Sequence, residues 1–182
     1  MRKYDGSGSS YSFKKAFKMI RVFIIFILFF QNASADEVYG NPKIIDGDTV
    51  HINSYKIRLE GIDSPEIKQK CKKDFFTISF IISYKFYKKY DCGLVSKIKL
   101  KKKISNKKIK CKFDSIDRYK RYLATCYLDK INLNKWMVRN GYAIAYKKYS
   151  KKYVQDENFA KKQRLGLWRG PFIEPEKWRK LR

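Results

Sequence analysis

The chain has 182 residues, with 43 Lys or Arg against 17 Asp or Glu, so its formal net charge is +26. This length allows one domain, enough to bury a real core. The charge favours a polyanionic partner, first nucleic acid and second an anionic membrane surface. Lys, Ile, Tyr, Phe and Asn are abundant together, as AT-rich coding produces, so charge alone supports nucleic-acid binding only in part.

Residues 1–35 predict a secretory signal peptide. Basic residues at positions 14–21 precede the apolar run Val22–Phe30, and the small residues Ala33-Ser34-Ala35 form a cleavage site. The apolar run is too short to cross a bilayer, which needs ~20 residues. The alternatives are an uncleaved anchor and a true start at Met19.

The predicted mature chain, residues 36–182, begins near Asp36 and is secreted or periplasmic. Residues 1–35 contain six basic residues and one acid, so the mature chain carries +21. The strong basic excess is therefore a property of the domain itself.

Residues 46–66 contain a dense set of acids around one arginine. Asp46-Gly47 is a turn dipeptide. On each side of Asn53-Ser54, apolar and polar residues alternate, which predicts two half-buried strands. Ser64-Pro65 ends the second strand. Asp48, Arg58, Asp63 and Glu66 therefore lie at a turn, on a polar strand face and past a strand end, and we expect them to converge.

These residue types suit phosphodiester hydrolysis. Two aspartates and a backbone carbonyl suit a hard cation such as calcium. The arginine fork matches two phosphate oxygens. A further carboxylate could orient or deprotonate a water. The alternative is a set of solvated hairpin acids, since most exposed acids have no function.

The motifs D-G-D-T, R-L-x-G-I-D-x-P-E and D-[KR]-Y-x-R occur here at Asp46–Thr49, Arg58–Glu66 and Asp117–Arg121. In these motifs the chain resembles the staphylococcal nuclease-like (thermonuclease) family. The resemblance extends to Asn132–Asn134, Gly141–Ala143 and Gly166–Trp168 and covers roughly residues 38–180. The first two motifs together are highly specific, whereas the later ones are weak alone.

The resemblance implies a role for each matching residue. It implies that Asp48, Asp63 and the Ser64 carbonyl bind Ca²⁺, that Arg58 and Arg121 hold the phosphate, and that Glu66 is the base. It also makes Arg118, Tyr119, Tyr146 and Tyr149 candidate substrate contacts. Lys120 departs from the family pattern, because many members have glycine there. The helix-like spacing of Tyr142, Tyr146, Tyr149 and Tyr153 fits core packing equally well.

Four cysteines in a secreted chain predict two disulfides, with three pairings open. We favour Cys111–Cys126, because these residues lie in two strands that flank the Asp117 turn, and this leaves Cys71–Cys92. The resemblance supports the same pairing. No C-x-x-C spacing occurs, so a structural zinc site is not expected.

Residues 72–91 form an insertion relative to the family. Their first half, residues 75–82, is strongly apolar, and the second half is basic and aromatic. A hairpin packed against the barrel is slightly preferred. The alternative is an exposed patch for a membrane or a partner.

Further elements complete the predicted fold. Helices are expected at Gly93–Ile104, with an apolar stripe of Leu94, Val95, Ile98 and Leu100, at Asn132–Asn140 and at Lys152–Leu165. Strands are expected at Ile109–Phe113 and Tyr122–Leu128. About five strands and three helices indicate an α+β, mostly β fold, a five-stranded OB-fold Greek-key barrel with packed helices. Trp136, Trp168, Trp178 and the single histidine, His51, are expected to be structural.

The sequence therefore predicts a secreted, monomeric, calcium-dependent endonuclease acting on DNA and RNA with little sequence preference. The resemblance implies products with 3′-phosphates and 5′-hydroxyls. The main alternative is a non-catalytic nucleic-acid-binding OB-fold module, and a third hypothesis is a basic membrane-surface protein that uses the 75–82 patch.

Overall fold

The computed structural model describes residues 36–79 and 83–181, and the signal-peptide prediction for residues 1–35 lies outside this range. The strands are β1 Asp36–Gly40, β2 Lys43–Ile44, β3 Thr49–Ile52, β4 Tyr55–Leu59, β5 Ile62–Asp63, β6 Lys70–Ser79, β7 Ser83–Asp91, β8 Ile109–Ile116, β9 Tyr122–Leu128, β10 Ile131–Asn132 and β11 Ile144–Ala145. The helices are α1 Cys92–Ile104, α2 Leu133–Arg139, α3 Val154–Lys162 and α4 Pro175–Lys180, with a 3-10 helix at Gly166–Arg169.

The main sheet curls around the core in the order β1-β8-β9-β4-β3-β2, with β10 added to β9. Strands β4 and β9 run parallel and place Arg58 beside Leu123, whereas the other neighbours run antiparallel. In β8 the buried Ile109 and Cys111 alternate with exposed lysines, as a sheet with one solvated face requires. The predicted α+β, mostly β class is confirmed.

Helix α1 agrees with its predicted span, but the predicted stripe is only partly right, because Leu100 is buried and Val95 is half-buried. Leu94 and Ile98 are exposed, and the buried face consists of Cys92, Gly93, Ser96, Leu100 and Ile104. The reason is a close approach at Gly93, where a Cβ would lie 1.8 Å from the carbonyl oxygen of Glu66. Small residues therefore decide which face of α1 meets the barrel.

The later helices agree with the prediction only in part. Helix α2 is confirmed, because the Asn132 side chain accepts a hydrogen bond from the backbone N–H of Lys135 and caps the helix. Helix α3 is shorter than predicted, because Arg164 and Gly166 adopt left-handed backbone angles that end it. Helix α4 was not predicted. No helix in the described ranges is long and apolar enough to cross a membrane.

The insertion forms a separate two-stranded hairpin, β6 with β7. Its root is packed, because Cys71 and Tyr90 join a second small core with Leu167 and Trp168. The preferred hypothesis of a packed hairpin is wrong for the outer half, which no other element covers within the described residues. The large side chains exposed there are Phe75, Phe76, Ile78, Tyr84, Phe86 and Tyr87.

Both favoured disulfides are present. Cys71 bonds Cys92 and joins the hairpin root to the start of α1. Cys111 bonds Cys126, its direct cross-strand neighbour on β8 and β9. In the described part of the chain no cysteine is free.

The remaining structural residues lie as follows. Trp136 packs on Tyr142 against the main core, and Trp168 packs on Phe172 in the second core. Trp178 is half-buried in α4, and His51 is half-buried in β3. A structural role for His51 stays a prediction.

Candidate active site

The turn before β3 presents Asp48. The Asp46 carboxylate accepts a hydrogen bond from the backbone N–H of Asp48 at 2.9 Å, which shapes the turn. A Cβ on Gly47 would lie 2.7 Å from the Ser64 hydroxyl oxygen and 2.8 Å from Ser96, so only glycine fits there. Asp48 in turn accepts a hydrogen bond from the backbone N–H of Ser64 at 2.8 Å. The Asp46 turn, the Ser64 loop and α1 therefore meet beside Asp48.

Arg58 connects the two predicted metal-binding aspartates. It lies on β4 opposite Thr49. Its Nη1 donates to Asp48 Oδ1 at 2.7 Å, and its Nη2 donates to Asp63 Oδ1 at 3.0 Å and to the carbonyl of Ile62 at 3.3 Å. Both aspartates are buried. The predicted convergence of Asp48, Arg58 and Asp63 is therefore present in the structure.

Glu66 lies at the rim of this cluster with a half-exposed side chain. Its backbone N–H donates to the side-chain oxygen of Gln69, and its carbonyl accepts from the backbone N–H of Gln69 at 2.7 Å. The close approach at Gly93 packs α1 against the same carbonyl. The backbone that carries Glu66 is therefore held from two sides.

Arg179 on α4 is a site residue that the sequence did not predict. Its Nη1 donates to Asp63 Oδ1 and to Glu66 Oε1, and its Nη2 donates to Asp63 Oδ2, each at 3.0 Å. Arg179 is 116 residues from Asp63 and belongs to a basic terminal segment. Nothing in such a local pattern distinguishes it from a solvated charge.

The structure does not bring Arg121 to the carboxylates. Its Nε and Nη2 pair with Asp117 Oδ2 at 2.9 and 2.7 Å. Burial alone would raise the pKa of Asp117, but hydrogen bonds from Arg121 and Tyr119 outweigh it, so the pKa lies below its ordinary value. Lys120 keeps the expected turn by adopting a left-handed φ of 59°, the conformation that glycine adopts most readily.

The candidate substrate contacts fall into two groups. Tyr119 is 61% exposed, and the guanidinium groups of Arg118 and Arg121 lie 4.8 and 5.3 Å from its ring centre. Tyr146 lies next to the carboxylate cluster, 6.0 Å from Arg58, and packs edge-on against the exposed Tyr149 at 4.8 Å. Both groups are accessible to a ligand.

The helix-like spacing of the later tyrosines does not belong to a helix. The segment 142–153 consists of β11 and turns. Tyr153 is fully buried and Tyr142 packs against the main core, whereas Tyr146 lies beside Arg58 and the exposed Tyr149 packs on Tyr146. The tyrosine pattern therefore contains both core residues and site residues.

Burial and the close approach of charged groups shift the pKa values of the site residues. Burial raises the pKa of the Asp46 carboxyl to about 6, and the charge of Asp48 adds to the rise. Burial also raises the pKa of Asp63, although the hydrogen bond from Arg179 opposes the shift. Burial would lower the pKa of Arg58, but the charges of Asp48 and Asp63 outweigh it, so that pKa lies above its ordinary value. The acids are stable together only with a positive charge between them.

The donor atoms fit an oxygen-loving cation. Asp48 and Asp63 meet at one guanidinium, and the backbone N–H of Ser64 donates to Asp48, so the two carboxylates and the Ser64 backbone lie within one small region. Calcium accepts such a partial set and completes it with water or phosphate oxygens. Across residues 36–79 and 83–181, no group of three or more His, Cys, Asp or Glu is arranged to hold a metal, so a cation here would depend on the two carboxylates together with oxygen donors of other kinds.

The half-barrel carries two buried aspartates, an arginine that bridges them and a glutamate at the rim. This combination of fold and site agrees with the class that the motifs indicated, the phosphodiester-cleaving proteins. The family model of the staphylococcal nuclease homologues matches residues 56–170. The chain belongs to this family, whose fold is the OB-fold, and a nuclease function is supported. The match starts after Asp48 and ends before Arg179.

The relatives support the same family. An uncharacterized endonuclease of Haemophilus influenzae is 35% identical over 147 residues, covering 76% of this chain and 70% of that protein. An uncharacterized endonuclease of Escherichia coli O157:H7 is 30% identical over 153 residues, covering 80% and 86%. A micrococcal nuclease of Shigella flexneri is 28% identical over 156 residues, covering 76% and 78%.

Proposed function

We propose that the mature chain is a secreted, calcium-dependent endonuclease that hydrolyses phosphodiester bonds of DNA and RNA with little sequence preference. The observation that carries this proposal is the contact of Arg58 with both Asp48 and Asp63, with Glu66 joined to Asp63 through Arg179. An arginine, two buried acids and an accessible third acid meet in one place. Purely structural surface acids are rarely buried in this way.

Each residue has a proposed role. Asp48, Asp63 and the Ser64 carbonyl would hold the cation, which when bound supplies positive charge to the phosphate and orders a water. Glu66, the most exposed of the three acids, would accept a proton from the water that attacks the phosphorus. Arg58 binds phosphate oxygens and stabilises the added charge of the transition state. Arg121 would do the same once it turns from Asp117. The water oxygen would bond to phosphorus as the bond from phosphorus to the 5′-oxygen breaks, and the leaving 5′-oxygen would take a proton from solvent, which gives products with 3′-phosphates and 5′-hydroxyls.

Substrate binding is proposed to depend on charge and stacking. The mature chain carries +21, and such a charge attracts a phosphate backbone of any sequence. Tyr119, Tyr146 and Tyr149 offer rings for base stacking, which tolerates every base. Arg118, whose Nη2 donates to the Tyr119 hydroxyl at 2.7 Å, would hold that ring beside the nucleotide.

Digestion of supercoiled plasmid and of a single-stranded RNA by the purified mature chain tests the proposal. We expect cleavage of both with calcium, loss of cleavage with chelator and loss of cleavage in Glu66→Gln. Binding to both nucleic acids without cleavage in calcium would instead support the non-catalytic OB-fold module.

N-terminal sequencing of exported protein should begin near Asp36, and residues before it would contradict the predicted cleavage site.

A contact with an anionic membrane is a second candidate function, and the exposed hairpin face favours it. Phe76 stacks on Phe86 at 4.3 Å, and Lys73 and Lys88 lie toward the root on the same face. Apolar side chains backed by lysines suit the interface of an anionic bilayer. Vesicles of phosphatidylserine and phosphatidylcholine should bind the chain, and Phe76→Ser should weaken this. Binding that depends on charge alone would contradict it.

A further inference from the structure

The segment after the 3-10 helix is hydrogen-bonded to the chain that follows Glu66. The buried Gln69 donates from Nε2 to the carbonyl of Ile173 at 2.6 Å, and the backbone N–H of Lys72 donates to the carbonyl of Pro171. Pro175 is buried at the first turn of α4. These contacts hold the start of α4 beside the site and direct Arg179 toward the carboxylates.

Arg179 occupies the atoms that the proposed cation needs. Both oxygens of Asp63 accept hydrogen bonds from it, and Glu66 Oε1 accepts a third. Asp63 is fully buried and has no solvent-facing oxygen. A cation that coordinates Asp63 must therefore displace an arginine.

Of the two arginines on Asp63, Arg179 is the one that can leave. The Arg58 side chain is 14% exposed and also bonds Asp48 and the Ile62 carbonyl within the sheet. The Arg179 side chain is 35% exposed and extends from a six-residue helix. Withdrawing it breaks fewer buried contacts.

We propose that Arg179 is an internal counter-ion that occupies Asp63 and Glu66 in the cation-free protein and is displaced when a divalent cation binds. The proposal rests on the cation site of the proposed function. It makes the C-terminal helix a part of the site that lowers its affinity for the cation, because the cation must compete with a bidentate arginine. Displacement also frees the Glu66 carboxylate.

Calorimetric titration of the mature chain with CaCl₂, without nucleic acid, tests this. We expect Arg179→Ala to bind calcium about tenfold more tightly than the wild type at an ionic strength of about 0.15 M. Lys177→Ala is the matched control. It removes the same charge from the same helix, but Lys177 is exposed and pairs only with Glu174 at 3.8 Å among the described contacts, so its affinity should stay within about twofold.

Arg179→Lys tests whether the hydrogen bonds of Arg179 to the carboxylates, or only its positive charge, weaken calcium binding. A lysine keeps the charge but cannot bond both oxygens of Asp63 and Glu66 together, so we expect an affinity between those of the wild type and Arg179→Ala. A wild-type affinity in Arg179→Lys, or an unchanged or weaker affinity in Arg179→Ala, overturns the proposal while leaving the cation site intact. If neither the wild type nor Arg179→Ala binds calcium, the cation site itself is wrong and the counter-ion role falls with it.

Hydrogen exchange of the wild type gives a second measurement. Calcium should accelerate amide exchange within α4, because the helix loses its contact with the carboxylates. Exchange in α2, which does not touch Asp63 or Glu66 in the described structure, is the internal reference. Unchanged exchange in α4 with calcium bound contradicts displacement.

Discussion

The carboxylate site and the β6–β7 hairpin are stabilised by different kinds of contact. In the site, Asp48, Arg58 and Asp63 satisfy one another's charges with little solvent access, and the partly exposed Arg179 adds further bonds to Asp63. In the outer hairpin, large apolar side chains face solvent, and the strands are ordered by backbone pairing and by contacts among exposed rings such as Phe76 and Phe86. The site is specified by contacts between distant parts of the chain. The hairpin is specified by local pairing and by the packing and disulfide at its root.

This difference predicts where substitutions have large effects. A site residue has several partners, so its loss leaves other groups unpaired or removes chemistry. An outer hairpin residue has few partners to lose. The four predictions below test this contrast from the largest expected effect to the smallest.

The largest effect is expected for turnover in Glu66→Gln. Removing a general base costs ~10²–10⁴-fold in rate, while nucleic-acid binding should change little because the basic surface dominates it. Single-turnover cleavage and filter binding measure the two quantities. Phe76→Ser in the hairpin is the control and should cleave plasmid at the wild-type rate. Wild-type cleavage by Glu66→Gln would remove Glu66 from the mechanism.

A large loss of stability is expected for Asn134→Ala, beneath the site. The buried Asn134 donates to the carbonyls of Glu60 and Ala124, and its oxygen accepts from the N–H of Cys126. The substitution removes all three hydrogen bonds, although the Ala124 carbonyl still accepts from the backbone N–H of Glu60. The loss should lower the free energy of unfolding by about 3–5 kcal/mol in urea titrations. The control Asn132→Ala loses a helix cap and one long hydrogen bond from Nδ2 to the Tyr153 hydroxyl at 3.4 Å, and should cost about 1 kcal/mol. Equal losses would contradict this account.

A moderate, pH-dependent effect is expected at Glu157, which supports the strand beside Asp63. Its carboxylate accepts from the backbone N–H of Ala145 and pairs with Lys147 and Lys161. Burial would raise the pKa of Glu157, but the hydrogen bonds from Lys161 and Lys147 outweigh it, so the pKa lies below its ordinary value.

Because the folded pKa is depressed, the stabilisation by Glu157 is present above the unfolded pKa of about 4.3 and is lost as pH falls through the folded value. The stability difference between the wild type and Glu157→Gln should therefore be full at pH 6 and shrink between about pH 5 and pH 3. Thermal unfolding across this range measures it. A difference that stays constant with pH would exclude the ion pairs as its source.

The smallest effect is expected for stability in Phe76→Ser. This exposed ring mainly contacts other exposed rings, so the free energy of unfolding should change by no more than about 0.5 kcal/mol. Leu59→Ala in the barrel core is the contrast and should cost about 2–5 kcal/mol. A loss above about 1.5 kcal/mol in Phe76→Ser would show that the outer hairpin packs on another surface.

The sequence by itself determined the paired strands around Asn53, the capped helix α2 and the meeting of Asp48, Arg58 and Asp63. Each depends on signals within a few residues, such as alternating burial, a capping side chain and a turn dipeptide. Local signals of this kind act before any tertiary contact forms. The family resemblance then predicted chemical roles for residues that these signals had already placed.

Only the tertiary structure decided the pairing of Arg179 with Asp63, the turning of Arg121 toward Asp117 and the buried face of α1. The first depends on a contact across 116 residues, and the last on the absence of a side chain at Gly93, where α1 meets the Glu66 loop. Sequence periodicity shows which residues are apolar. It does not show which distant backbone packs against a glycine, or which carboxylate an arginine side chain binds. These choices follow from packing and charge in the assembled fold.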